Sequence, residues 1–158
     1  MIDPNRRAMQ TFLEAWGPEF EKSIEMFTGQ SVKIESDENA GPAELPDAET
    51  SLLWQGQTFE RGDTGTVWIG TPVDLYTALM QATAEDSEGN QALYREVLRQ
   101  SMEGAAHLLS AGRTPRITCK ESIEDRAPES ADLAWIENAW IVNSDGQRFQ
   151  MTVAFQPG

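Results

Sequence analysis

Residues 92–110 contain a series of polar side chains that could take part in chemistry. They recur at intervals of three or four, which places them along one face of a helix. They are Glu96, Arg99, Gln100, Glu103 and His107. A carboxylate can pair with a cation, a guanidinium can bind an anion through paired N–H groups, and a carboxamide can both donate to and accept from a water. At this spacing Glu96 is predicted to pair with Arg99, and Glu103 with His107, and such pairs are usual on a solvated helix surface.

A second set of residues in the same segment must hold this polar face in place. Apolar side chains also recur with helical period and predict a stripe that faces a core. The stripe comprises Tyr94, Val97, Leu98, Met102, Ala105, Leu108 and Leu109. Gly104 lies inside the pattern, although glycine costs a helix interior ~1 kcal/mol. We therefore expect another element to lie close to Gly104.

The run Ser-Met-Glu-Gly-Ala-Ala-His-Leu-Leu-Ser at residues 101–110 resembles the glycine/alanine-rich helix of the CheC, CheX, FliY and FliM/FliN N-terminal group. That group contains bacterial chemotaxis phosphatases and flagellar-switch domains. Its phosphatases carry Asp or Ser in this helix, Glu four residues later and Asn three residues after the Glu. In this chain the three positions hold Ala92, Glu96 and Arg99, and the family's later Pro falls at Ser122. The scaffold of the motif is thus present, and most of its catalytic part is replaced.

The resemblance implies that Glu96 would contact a partner and would be the catalytic candidate if the chain hydrolysed an aspartyl phosphate. Arg99 cannot replace the Asn, because a guanidinium has no acceptor with which to align an attacking water. Gln100 offers an amide one helix position away. At an offset of 82 residues, Glu14 in the first helix matches Glu96. The predicted binding residues are Glu14, Glu96, Arg99, Gln100 and Glu103.

Composition narrows the class of protein. The chain has 158 residues, 39% of them hydrophobic, so it can build one core. Its net charge of −14 does not suit binding to the phosphate backbone of a nucleic acid. The single Cys119 and single His107 exclude a disulfide framework and a Cys/His zinc site. The N-terminal residues contain no signal-like apolar stretch, and no apolar run approaches the ~20 residues that span a bilayer. We expect a cytoplasmic protein with no membrane insertion and no nucleic-acid partner.

Hydrophobic periodicity and turn residues predict a mixed order of helices and strands. In the first half the predicted elements are a helix over 7–28 that Gly17–Pro18 should kink or restart, a strand over 31–35, a loop over 36–49, and strands over 51–59 and 65–70 joined by a turn at 61–63. A short helix opened by Thr71 and Pro72 and an acidic connector over 84–90 should follow. In the second half they are a helix over 91–110, a strand over 115–120, a loop over 121–132, and strands over 133–142 and 147–155 joined by a turn at 144–146. Trp135 and Trp140 have opposite parity in their strand, so they should point to opposite faces of the sheet.

The order repeats at an offset of about 82–83 residues, which is a pattern argument of the kind used for internal repeats. It predicts a single domain over 1–158 with two pseudo-repeats, about 7–70 and 91–156. The fold class is α+β, with long helices packed on an antiparallel sheet. This order also resembles the pseudo-twofold architecture of CheC-like domains over nearly the whole chain.

Three functions follow as hypotheses. The favoured one is a non-catalytic CheC-like interaction domain, closest to the N-terminal domain of FliN/FliY-type switch proteins, that binds a CheY-type response regulator or a flagellar switch protein. The second is a phosphatase acting on the aspartyl phosphate of such a regulator, with Mg supplied only through the phosphorylated partner. The third is a sensor with a small-ligand pocket between the two long helices and the sheet. No cofactor or metal is expected, an oligomer is possible, and the chain is either a fragment of a FliN-like protein or a stand-alone adaptor.

Overall fold

The first helix, α1, spans Pro4–Thr28 and continues through Pro18. The computed structural model describes residues 4–36, 52–61, 63–80, 87–111, 116–124 and 126–157. Pro18 removes one helical N–H donor. Of the two outcomes predicted at Gly17–Pro18, a kink or a restart, the restart does not occur, because one apolar stripe lies on both sides of the proline and is buried along its length. The stripe consists of Met9, Phe12, Leu13, Trp16, Phe20 and Ile24.

The long helix α3 spans Ser87–Ser110 and packs beside α1. It begins four residues before the predicted start, so residues 87–90 of the predicted connector are helical. Gly104 lies close to α1, as the presence of a glycine inside the helix predicted. A Cβ at this position would lie 2.6 Å from Glu19 Oε2. The neighbour is the end of a side chain, which can move more easily than a backbone.

A short helix, α2, spans Val73–Met80, and the strand β3, Asp63–Pro72, precedes it. The prediction that Thr71 and Pro72 open this helix is wrong, because both residues still belong to β3. The hydroxyl of Thr71 lies 2.9 Å from the hydroxyl of Tyr94 on α3, and both groups are buried. This contact engages the side chain that would otherwise have capped the helix.

In the described part of the chain, six strands form one antiparallel sheet beneath the helices. Besides β3, they are β1 (Val32–Ser36), β2 (Leu52–Arg61), β4 (Thr118–Ile123), β5 (Trp135–Asn143) and β6 (Arg148–Pro157). Their order across the sheet is β1-β5-β6-β3-β2-β4. The structure is therefore α+β, as the sequence predicted, and three α-helices of the described residues pack on the antiparallel sheet.

One strand prediction needs correction, and a predicted loop and a predicted turn fall partly outside the described residues. The strand predicted over 115–120 runs over Thr118–Ile123 instead, because pairing with β2 carries it through residues 121–123, which were predicted as loop. The loop predicted over 36–49 lies outside the described residues except for Ser36, which ends β1. Gly62, at the predicted turn between β2 and β3, also lies outside them, and Arg61 and Asp63 pair across it.

The strand order of the sheet is symmetric about its centre when the strands that follow α1 in the chain are matched with those that follow α3. Each long helix is followed by an edge strand and, later, by a hairpin: β1 and β2–β3 after α1, β4 and β5–β6 after α3. Each edge strand pairs with the hairpin from the other half of the chain. The division into pseudo-repeats at 7–70 and 91–156 stays a prediction.

Two tryptophans on the sheet surface opposite the helices pack over glycines of the facing strand. The direct cross-strand partners are Trp54 with Gly70, and Trp68 with Gly56. A Cβ on either glycine would lie 2.8 Å from the facing ring. Each glycine therefore leaves room for a ring directly across the ladder, and the Trp68 indole also donates to Gln156 Oε1 at 2.9 Å.

Candidate functional site

The polar face of α3 contains the predicted pair, and its geometry is bidentate. Arg99 donates from Nε to Glu96 Oε2 at 3.1 Å and from Nη2 to Glu96 Oε1 at 2.5 Å. Gln100 Nε2 adds a third bond to Glu96 Oε1 at 3.2 Å. One helical turn thus places three donors around a single carboxylate.

Glu103 extends this cluster by one turn. Its Oε1 lies 4.0 Å from Nη1 of Arg99. The predicted contact between Glu103 and His107 is not formed among the described residues. The structure therefore brings together four of the five predicted binding residues, Glu96, Arg99, Gln100 and Glu103, and we call these four the α3 cluster.

The α3 cluster lies at the surface. The side chains of Glu96, Arg99 and Glu103 are 35%, 45% and 55% exposed, respectively. The hydrogen bonds from Arg99 and then from Gln100 hold the pKa of Glu96 below its ordinary value. The same bond to Glu96 raises the pKa of Arg99. Glu96 is therefore a charged acceptor at neutral pH, with donors already on both of its oxygens.

This arrangement suits recognition better than proton transfer. A carboxylate whose pKa is lowered is a weaker base than an ordinary one. Arg99 has five N–H donors and no acceptor, so it cannot hold a water with a lone pair directed at phosphorus. Gln100 donates its amide nitrogen to Glu96, and its oxygen has no partner shown among the described residues. The α3 cluster can bind a cation or an anionic group, and it lacks an aligned pair for hydrolysis.

Glu14, the fifth predicted residue, lies on α1 and is not part of the α3 cluster. It lines a groove of about 540 Å³ between α1 and the β1–β5 side of the sheet. We call this the α1–β1 groove. It is lined by Gln10, Leu13, Glu14, Gly17, Pro18, Glu21, Lys33, Ile34, Glu137 and Ala139.

Sequence reasoning missed Glu137, a buried carboxylate in the α1–β1 groove. Its side chain is only 4% exposed, and its Oε1 accepts a hydrogen bond from the Trp135 indole at 3.5 Å. The signal was present in the sequence, because Glu137 shares the inward parity of Trp135, Ala139 and Ile141 on β5. A charged residue on an otherwise apolar strand face marks either a structural network or a site.

A second groove, of about 490 Å³, lies between the end of α3 and β4. His107, Arg116 and Cys119 are among its lining residues. Burial raises the pKa of the Cys119 thiol to about 11. A thiol with such a pKa is a poor nucleophile near neutral pH.

The space between the long helices, where a ligand pocket was predicted, is filled with side chains. Phe20 of α1 packs against Trp16 on the same helix and meets Tyr94 of α3 edge-to-face, with the ring centroids of Phe20 and Tyr94 6.2 Å apart. All three side chains are fully buried. The predicted location of a small-ligand pocket is thus occupied by the core, and both grooves lie toward the edges of the sheet.

Within the residues that the structure describes, no helix combines the length and apolar character required to traverse a bilayer. Nor do three or more His, Cys, Asp or Glu side chains in those residues converge in a way that would hold a metal ion.

Comparison with known proteins relates this fold to solved structures. No protein-family model and no curated protein matches the sequence. A CheC-like superfamily protein from Shewanella is similar in structure, with a TM-score of 0.58 at 13% identity, over 92% of this chain and 97% of that one. CheX from Vibrio vulnificus is similar with a TM-score of 0.60 at 12% identity, over 92% and 96%. The FliM middle domain from H. pylori is similar with a TM-score of 0.62 at 13% identity, over 99% and 94%.

These likenesses cover almost the full length of both chains, so they compare whole domains. The chain has a CheC-like α+β fold. More particularly, it has the fold shared by a CheC-like superfamily protein, the chemotaxis protein CheX and the FliM middle domain. The predicted closeness to FliN and FliY stays a prediction.

Proposed function

We propose that this chain is a non-catalytic interaction domain of a bacterial chemotaxis or flagellar-switch assembly, with the α3 cluster as its contact surface. The observation that carries the proposal is the bidentate pair between Glu96 and Arg99. Arg99 occupies the position at which the phosphatases of the resembling group have Asn. The surface keeps a charged, ordered group for recognition and lacks the amide that would orient water.

The energetics of the α3 cluster favour binding over catalysis. A bidentate pair fixes the direction of both charged groups and gives a geometry that a partner can recognise. Rim charges of this kind contribute to partner choice and to association rate. Hydrolysis, in contrast, needs an acceptor aligned with a water at the reacting phosphorus, and Arg99 supplies none.

The partner that we propose is a CheY-type response regulator or a flagellar switch protein. FliM from H. pylori has been seen in complexes with FliG and with SpeE, so a protein of this fold does serve as a docking domain. We further propose that this chain acts in the cytoplasm, at the motor switch or with a chemotaxis regulator. Its oligomeric state, measured by light scattering, would show whether one or two copies of the α3 cluster face the partner.

The experiment that tests this proposal measures binding and turnover in the same samples. The protein is titrated with a CheY-type regulator, phosphorylated by acetyl phosphate in the presence of Mg, and with the FliG and FliM proteins of one flagellated bacterium. We expect micromolar or tighter binding to one of them and no acceleration of phosphate release. Arg99→Glu should weaken that binding about tenfold or more by placing like charges together, whereas Glu25→Lys, at an exposed position on α1, should not weaken it.

The phosphatase alternative makes the opposite forecast. Faster phosphate release with the wild-type chain, lost in Glu96→Ala, would assign catalysis to the α3 cluster and refute the proposal. Binding that is unaffected by Arg99→Glu would remove the cluster from the interface. Failure to bind any of the three partners would refute the assignment to this class of assembly.

A further inference from the structure

We infer that β1 is a self-association edge, at which a second copy of this chain adds its own β1 in an antiparallel pair centred on Ile34. β1 lies at one edge of the sheet, and among the described residues it pairs only with β5. The other side of a strand in this position carries backbone groups that a further strand can bond. None of the residues involved belongs to the α3 cluster, so the inference does not depend on the proposed function.

A hydrogen bond at the end of β5 shows which backbone groups of β1 face away from the open edge. The Asn143 N–H donates to the carbonyl of Gln147 at 3.0 Å, so the backbone of Asn143 faces the β6 side. Backbone direction alternates along an antiparallel strand. Val142 therefore faces β1, where it is paired with Lys33. The N–H and C=O of Lys33, and by the same alternation those of Glu35, are directed at β5.

The remaining residues of β1 direct their backbone groups to the open edge. Ile34 lies between Lys33 and Glu35, so its N–H and C=O point away from β5. The same holds for the backbones of Val32 and Ser36 at the two ends of the strand. A second β1 that faces this one at Ile34 exchanges hydrogen bonds at all three residues, and the pairing uses the full length of the strand.

The side chains of β1 are self-complementary in this register. When Ile34 faces its own copy across a twofold axis, Lys33 of each chain lies directly opposite Glu35 of the other. Lys33 and Glu35 are two residues apart, so both of these charge pairs lie on the same face of the joined sheet. They occupy the non-hydrogen-bonded positions, where the side chains of antiparallel strands are closest and opposite charges stabilise the pairing.

The opposite edge of the sheet lacks this complementarity. A strand that pairs with its own copy must be centred on one residue that faces itself. For β4, a pair that keeps most of the strand is centred on Lys120 or on Glu121. Either choice sets a charge directly against the same charge, which is destabilising. Of the two edges, β1 is therefore the one whose sequence suits a second copy.

Lys33 and Glu35 are exposed, and Glu35 also pairs with Arg148 of its own chain at 3.5 Å. A carboxylate has two oxygens and accepts several donors, so Lys33 of the second copy can join Arg148 at this group. Exposed ion pairs contribute little to stability, and here they select the register. The affinity comes from the backbone bonds and from further burial of Ile34, which is half-buried in the single chain.

The space beside Ile34 is open on the helix side of the sheet. The α1–β1 groove, of about 540 Å³, has Ile34 among its lining residues. A twofold axis that pairs two antiparallel edge strands runs perpendicular to the sheet, so the helices of both copies stay on the same side. The pair then presents two α3 clusters on one side, and a partner with two matching sites gains avidity.

The test measures self-association by sedimentation equilibrium in about 0.15 M salt, which screens repulsion between distant charges beyond ~8 Å. We expect a monomer–dimer equilibrium with a dissociation constant of about 0.1 mM, because a single strand pair forms a small interface. Lys33→Glu and Glu35→Lys should each weaken it about tenfold or more. An equimolar mixture of these two variants should associate again, since opposite charges then face each other at both pairs.

Lys120→Glu is the matched control. It makes the same charge change at an exposed lysine, on the edge strand at the other side of the sheet. This variant should leave the dissociation constant unchanged. Circular dichroism checks that each variant keeps the fold.

Amide hydrogen exchange of the wild-type chain tests the strand pairing without any substitution. Exchange of the Ile34 N–H, which points to the open edge, should slow as the protein concentration rises from about 10 µM to about 1 mM. The Lys33 N–H, which is directed at β5, should exchange at the same rate throughout.

Four results would overturn the inference. They are a monomer at every concentration, self-association that Lys33→Glu and Lys120→Glu change equally, no association in the mixture of the two β1 variants, and Ile34 exchange that does not depend on concentration. The last result in a chain that does dimerise would place the contact between copies at another surface.

Discussion

The Trp16 indole donates a buried hydrogen bond to the Ser101 hydroxyl at 2.9 Å and so joins α1 to α3. Ser101 in turn donates to the carbonyl of Leu98 at 2.8 Å. Both residues are fully buried. This chain of bonds fixes the relative position of the two helices, and therefore the position of the α3 cluster relative to the rest of the domain.

Ser101→Ala is expected to destabilise the protein by about 1–3 kcal/mol, because the buried indole N–H loses its acceptor. Urea unfolding followed by fluorescence measures this change. Thr11→Ala, which removes an exposed hydroxyl from α1, should change the free energy of unfolding by less than about 0.5 kcal/mol. A cost for Ser101→Ala as small as that of the control would show that the bond contributes little.

Gly56→Ala is expected to destabilise the protein by about 1–3 kcal/mol through overpacking. The added methyl would lie 2.8 Å from the ring of Trp68, which is 1% exposed and hydrogen-bonded to Gln156. The ring therefore has little room to move. Thermal unfolding measures the loss, and an unchanged melting temperature would contradict the close packing.

Gly104→Ala is the informative contrast to Gly56→Ala. The added methyl would meet the carboxylate end of Glu19, which can rotate away. Alanine also favours the helix by ~1 kcal/mol relative to glycine. We expect a neutral to slightly stabilising effect. A loss as large as that of Gly56→Ala would mean that Glu19 cannot move.

Periodicity predicted most of the helices and strands of this fold because each long element buries a continuous face. In the strand predicted over 147–155, Phe149, Met151, Val153 and Phe155 alternate along the chain, and in β6 these residues lie in or against the core. The parity of Trp135 and Trp140 was also confirmed, since Trp135 is buried and Trp140 lies half-exposed beneath the Arg148 guanidinium at 4.8 Å.

Two of the errors in the predicted elements lie where tertiary packing overrides a local signal. Proline at position 18 predicts an interruption, but burial of the apolar stripe on both sides keeps α1 continuous. Thr71 has the composition of a helix cap, yet its hydroxyl bonds to Tyr94. No local sequence pattern indicates the burial of this stripe or the bond from Thr71 to Tyr94.

The candidate site, like the fold, could be predicted only in part. Spacing along a single helix predicted that Glu96 pairs with Arg99, because the two residues share one face of α3. The α1–β1 groove could not be predicted, since its walls come from α1, β1 and β5, which are far apart in the sequence. Only the inward parity of Glu137 gave any sign of it.

Cys119 is expected to react slowly with Ellman's reagent near neutral pH. Burial raises the pKa of its thiol to about 11 from an ordinary 9.0. Near neutral pH only a small fraction of the thiol is therefore ionised to thiolate. The rate should rise about tenfold per pH unit up to that pKa, because thiolate is the reacting species. In urea the thiol should react as an ordinary one, and equally fast reaction of the folded protein would contradict its burial.

Glu96 is expected to titrate below the ordinary range of glutamate, because Arg99 and then Gln100 donate to its charged form. NMR of its side-chain carboxyl carbon measures the midpoint directly. Arg99→Met should move that midpoint upward, whereas Lys22→Met, which removes a cation from α1, should leave it in place.

Since the pKa of Glu96 is lower in the folded than in the unfolded chain, the stabilisation from its pair with Arg99 is present above the unfolded pKa and is lost as the pH falls through the folded pKa. The effect on stability is small, because both side chains are exposed and water screens the pair. A midpoint of Glu96 that Arg99→Met leaves unchanged would show that the pair is open in solution, and that the α3 cluster presents two independent charges to a partner.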